Sequence, residues 1–175
     1  MAMAIAGTSC TGKSDIVLHE KILTACKFRP VDKDLTVSLL QRAKKNGFTA
    51  LVITLDTMLL GWRPHDLQTS YLPFLDGVGS QVGLSDPVFA KANGVEPVLD
   101  VPEWPYDQKK THVLLEAGDE KTTQTRNLSM QWILQTNSGI FKKWEDLKHV
   151  RDNWDGPLIL KGILSVKVCK PPGMT

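Results

Sequence analysis

The stretch Val31–Asp56, VDKDLTVSLLQRAKKNGFTALVITLD, decides the fold class, because its apolar residues pass from helical spacing to an unbroken run. Leu35, Val37, Leu39, Leu40 and Ala43 supply the inward stripe of a helix. Asp34 or Thr36 can cap its start, Arg42, Lys44 and Lys45 oppose the dipole at its end, and Gly47 can take the left-handed stop position. Ala50 to Leu55 is then apolar apart from Thr54. A run of Val, Ile and Leu without polar alternation suits a central parallel strand covered on both faces. Asp56 ends it.

A second unit of the same kind begins near Lys142, where Trp144, Leu147 and Val150 recur at helical spacing and Asp155, Gly156 and Pro157 stop the helix. Leu158, Ile159 and Leu160 are expected to form the next buried strand, which ends at Lys161 and Gly162. Helix, strand, helix, strand, with each strand finishing in a charged residue, predicts a parallel α/β fold whose functional groups collect at the carboxyl ends of its strands. Asp56 and Lys161 would then face one mouth. Residues 61–139 are far too long for an ordinary connection and are rich in Pro, Gly, Asp and Gln, so they read as an insertion or lid. Within them Met130, Trp132, Ile133 and Leu134 suggest a short helix, while Pro97, Pro102 and Pro105 argue for extended chain. Residues 1–30 are weakly patterned. After Val166 the chain turns into KVCKPPGMT, whose paired prolines and glycine cannot continue the helix that the architecture calls for.

The 175 residues are 42% hydrophobic and 23% charged, enough for one ordinary domain with its own core. With 21 basic residues against 19 acidic, the net charge of +2 offers no strong field for nucleic acid or an acidic lipid surface. Cys10, Cys26 and Cys169 are odd in number and widely spaced, which provides neither a disulfide framework nor a metal knuckle and points to a reduced, cytoplasmic setting. No apolar run approaches the roughly 20 residues that span a bilayer, and no secretory leader is read.

Several residues carry possible chemistry. Lys161, directly after three aliphatic residues, is either a strand-end lysine reaching water or a cation held where something anionic meets it. Asp56 is either a turn residue or a carboxylate orienting a histidine, a metal or a substrate. Arg63, in Gly61-Trp62-Arg63-Pro64, is a solvated loop arginine or a guanidinium fork for a substrate carboxylate. His65 reads as a surface residue, His149 lies on a helix side, and His19 and His112 have no spacing that suggests a metal cluster. A rival signal is Gly7-Thr8-Ser9-Cys10-Thr11-Gly12-Lys13-Ser14, a match to the phosphate-loop pattern. There Lys13 would touch the outer phosphates of a nucleotide, Ser14 and Asp56 would serve magnesium, and Asp15 to Ala25 would be the following helix.

The blocks DLTVSLLQRAKKNGFTALVITLDT, GWRPHDLQTSYLPFLDGVGSQVGLSDPVF and FKKWEDLKHVRDNWDGPLILKGILSV resemble the FMN-dependent 2-hydroxy-acid oxidoreductases, and GWRPHDL with YLPF resembles their lactate 2-monooxygenase and lactate oxidase-like branch. The likeness covers residues 32 to 166, in order, and is far more specific than one eight-residue motif. It implies a partial (β/α)8 TIM barrel spanning residues 31–166, with 61–139 inserted between two parallel strands, a divergent segment before residue 31 and an aberrant tail over 167–175. It also implies FMN as cofactor, a small 2-hydroxy acid such as L-lactate as substrate, and assembly as a homo-oligomer. On this likeness Thr54 matches a flavin contact, Asp56 the carboxylate that holds the catalytic histidine, Arg63 an arginine near the substrate carboxylate, and Lys161 the lysine beside flavin N1 and the C2 carbonyl. The family's Ser-Asn-His-Gly-Gly-Arg-Gln segment, with its base histidine, does not occur in these 175 residues. The expectation is therefore two strands of eight, from a truncated chain that is inactive alone.

Overall fold

The computed structural model describes residues 21–26, 32–56, 59, 61–69, 71–100, 103, 105–140, 143–163 and 165, with only the backbone described over 21–26. The segments 1–20 and 167–175, and with them the Gly7–Ser14 motif, lie outside the described residues. The described chain forms two compact units, one built from residues on either side of the long insertion and the other from residues 59–139.

The first is a sheet unit. Strand β1 (Lys21–Cys26), helix α1 (Lys33–Lys45), strand β2 (Phe48–Thr54), helix α7 (Trp144–Asp152) and strand β3 (Leu158–Lys161) make a sheet of order β1-β2-β3, parallel throughout. Leu35, Leu40 and Ala43 of α1 are buried together with Ala50, Leu51 and Ile53 of β2, which is the apolar stripe meeting the apolar run. Val150 of α7 and Trp154 are buried as well. The Trp154 indole donates to the Pro157 carbonyl at 3.1 Å, and Lys44 reaches both its ring and the Asp155 carboxylate, the latter at 2.8 Å.

Three details depart from the sequence reading. The cap of α1 is Asp32, whose carboxylate accepts from the Leu35 N–H at 3.0 Å, rather than Asp34 or Thr36. Thr36 is inside the first turn, with its hydroxyl donating to the Asp32 carbonyl. Gly47 does take a left-handed conformation, φ 77°. Second, there are three parallel strands among the described residues, not two, and β3, at the edge of the described sheet, is not the buried strand expected, since Ile159 is 47% exposed. Third, residues 21–26 form β1, so the helix that the phosphate-loop reading needs through Ala25 is absent at its last five positions.

The other unit is helical. It comprises α2 (Pro64–Gln68), a 3-10 turn (Pro73–Asp76), α3 (Gln81–Leu84), α4 (Pro87–Ala92), α5 (Gln108–Glu116) and α6 (Glu120–Thr136). Pro97 and Pro105 lie in chain without helix or strand, as expected, and Pro102 lies outside the described residues. The rest of the unit is more helical than the sequence suggests, and the short helix at Met130–Leu134 is part of a 17-residue one. Proline accounts for much of the difference. Pro64, Pro73 and Pro87 sit at helix starts, where a missing N–H costs nothing and the fixed φ helps. Asp86, Asp107 and Asp119 cap α4, α5 and α6. Phe89, Leu84, Ala90 and Leu128 form the core, and Phe89 meets Trp132 edge to face with ring centroids 5.5 Å apart.

Candidate functional site

The register of the sheet fixes where its side chains end. Cys26, Thr54 and Lys161 are Cα partners across β1, β2 and β3, so the three parallel strands finish level with one another. The Leu55 N–H donates to the Lys161 carbonyl at 2.9 Å, which carries the ladder one residue past β2 and brings Asp56 alongside. The Lys161 ammonium and the Asp56 carboxylate then lie 3.5 Å apart, with side chains 48% and 31% exposed. Thr54, two residues before Asp56, is buried. Both charges are therefore held by backbone geometry at the carboxyl end of a parallel sheet, and both remain open to solvent or a ligand. Gly162, noted in the sequence only as a strand stop, follows with φ 89°.

Arg63 belongs to the helical unit. It precedes α2 and its guanidinium pairs with Asp66 on the same helix at 3.2 Å. Its side chain is about half exposed. Trp62 beside it is among the most exposed large apolar residues described. His65 lies in the first turn of α2, exposed as expected, and His149 lies on an exposed side of α7 with a ring nitrogen 3.4 Å from the Lys33 carbonyl oxygen.

The helical unit also holds a polar pair that sequence reading did not find. The Tyr106 hydroxyl donates to Asp76, whose side chain is only 12% exposed. Burial, then the hydrogen bond and charge of Asp76, push the Tyr106 phenol well above its ordinary value. The other Asp76 oxygen is buried without a hydrogen-bond donor, and the Arg126 guanidinium stands 3.8 Å from it. Asp76 and Tyr106 help line a cavity of about 280 Å3 with Leu84, Val98 and Lys110. They are 30 positions apart, with no spacing rule to join them.

A parallel sheet alternating with helices, with a lysine and an aspartate set at the carboxyl ends of neighbouring strands, defines an α/β protein of the kind that places its chemistry at strand ends. Residues 7–170 match the FMN-dependent dehydrogenase family, and the chain belongs to that family. It is 41% identical, over 79% of its length, to an FMN-dependent alpha-hydroxy acid dehydrogenase of Schizosaccharomyces pombe, and 37% identical over 75% to one of Penicillium citrinum. An L-lactate oxidase of Lysinibacillus sphaericus shares 26% identity over 76% of the chain. The chain spans 30% of the first of these relatives and 27% of each of the other two. The cofactor of the family is FMN. Lys161 suits its oxygen- and nitrogen-edged pyrimidine half, because a half-exposed ammonium at a strand end can donate hydrogen bonds and supply positive charge to such an edge. Among the described residues no helix is long and apolar enough to cross a membrane.

Proposed function

We propose that this chain forms three consecutive strands of a (β/α)8 barrel and, at their carboxyl ends, part of the FMN and substrate site of an enzyme that oxidises L-lactate or a similar 2-hydroxy acid to the 2-keto acid. The observation that carries the proposal is the meeting of Asp56 and Lys161 at the ends of adjacent parallel strands. FMN, when bound, would accept the electron pair released at the hydroxyl-bearing carbon. Lys161 would place a fixed cation beside N1 and the C2 carbonyl, where negative charge collects, and a preorganised charge at such a point lowers a barrier without reorganising during the reaction. Thr54 would sit against the same ring. Asp56 would hold and stabilise the imidazolium of a histidine that takes the substrate proton. Arg63 would exchange its contact with Asp66 for the substrate carboxylate, to which its fork is matched.

On this reading the 175 residues alone bind flavin weakly and do not turn over, since the histidine segment is not among them. A soluble, cytoplasmic setting and assembly with further copies belong to the same proposal. The test is the visible spectrum of the purified chain after incubation with FMN and gel filtration. Yellow colour retained by the wild type and lost in Lys161→Met is the expected result. Equal retention by both proteins would remove Lys161 from the site.

A further inference from the structure

The structure assigns Gly162 as a positioning residue: the side chain it lacks is what allows the Asp56 carboxylate to close on the Lys161 ammonium. A Cβ added at position 162 would lie 2.6 Å from the Asp56 Cβ and 2.8 Å from its Oδ1. Carbon atoms that are not bonded do not approach so closely. Oδ1 is also the oxygen that faces Lys161 Nζ at 3.5 Å, so the steric limit and the ion pair concern one atom. A rotamer change at Asp56 could move Oδ1 aside, but the Asp56 Cβ is fixed by the backbone. Relief therefore requires the strand ends to part, next to the bond from the Leu55 N–H to the Lys161 carbonyl. The left-handed φ of Gly162 adds a second reason for glycine, and the two can be separated.

The functional meaning rests on the flavin-site reading proposed above. Gly162 would set how closely a negative charge accompanies the cation that faces the ring, and so how much of that cation's field the cofactor receives. Residues 161 and 162 would then act together, the first by its charge and the second by the room it leaves.

Zero-length carbodiimide cross-linking, read by peptide mass spectrometry, tests this without flavin. The wild type should yield an amide between Asp56 and Lys161, with the surface pair Lys148–Asp152, 3.0 Å apart, as internal standard. Gly162→Ala and Gly162→Asn should both lose the first cross-link and keep the second. Asparagine tolerates left-handed backbone, so its behaviour isolates the Cβ from the strain. If Gly162→Ala fails to fold, adding Asp56→Gly, which removes the opposing Cβ, should restore folding. An undiminished Asp56–Lys161 cross-link in either folded variant, its absence from the wild type, or failure of Asp56→Gly to rescue would overturn the assignment. FMN retention measured on the same proteins separates the two claims: colourless wild type with the expected cross-links defeats the flavin reading and leaves the positioning role standing.

Discussion

The Asp56–Lys161 pair of the sheet unit and the Asp76–Tyr106 pair of the helical unit both pair a carboxylate with a hydrogen-bond donor, and they differ in their surroundings. Asp76 is almost enclosed, and its partner's phenol is strongly displaced from its ordinary value. Asp56 and Lys161 are each about a third to a half exposed, at the ends of strands. A strongly perturbed group is a common pointer to a functional site. Here the enclosed pair has the features of a structural link between the 3-10 turn and the chain before α5, while the strand ends hold the charges that a ligand could reach.

The comparison would be sharpened most by substitutions that reach each unit's core. Phe89→Ala removes a buried ring and its contact with Trp132, and is expected to cost about 3–5 kcal/mol in urea unfolding. Leu51→Ala in β2, also fully buried, is expected to cost about 2–5 kcal/mol. If Leu51→Ala costs nothing, the sheet unit is not the packed body described above.

How far each unit could be read from sequence follows from the same contrast. The α1–β2 passage was legible because its stripe and its apolar run are long and change period sharply. The cap shifted only from the expected Asp34 or Thr36 to Asp32, at the same end of the helix. The strand-end charges were legible because the register of a parallel sheet levels its carboxyl ends. The helical unit was not, because its helices before α5 are only 4–6 residues long, too short for a period to appear, and their prolines mark starts as well as breaks. In α6 the run KTTQTRN hides the buried Leu128 and Ser129 among polar neighbours. Strand β1, KILTAC, was missed because lysine, threonine and cysteine interrupt its apolar pattern.

The two pairs themselves give the next, smaller effect. Tyr106→Phe leaves the second Asp76 oxygen without its donor as well, at an expected cost of about 1–3 kcal/mol in urea unfolding. The same variant has a signature in alkali. Because the folded protein holds the Tyr106 proton more tightly than the unfolded chain, the unfolded chain releases it first. The stability this group contributes is complete below pH 10 and declines above it, until the folded phenol also ionises. In Tyr106→Phe that part of the decline should be gone. Asp56→Asn, by contrast, is expected to change stability by less than about 1 kcal/mol, as for other exposed ion pairs. A large loss there would mean that the strand-end pair holds the fold rather than a ligand.

The smallest expected effect separates two aspartates by the kind of donor that serves them. Asp155 in the sheet unit is held below its ordinary value chiefly by the hydrogen bond from Lys44, joined by that ammonium's charge. Asp119 in the helical unit is lowered chiefly by the Thr122 hydroxyl and then its N–H, which are neutral donors. In both cases the folded carboxyl binds its proton less readily than the unfolded one. Stability from either is therefore present above the unfolded value of 3.8 and is lost as pH falls through the lower folded value. Salt should distinguish them. Screening over roughly 3 Å at 1 M weakens an exposed ion pair and leaves a cap to neutral N–H and O–H groups largely intact. Acid titrations of stability at low and high salt should thus show Asp155→Asn losing its effect as salt rises, while Asp119→Asn keeps its own. Equal salt sensitivity would mean that Lys121, the next charge in line, governs Asp119 and that the cap does not.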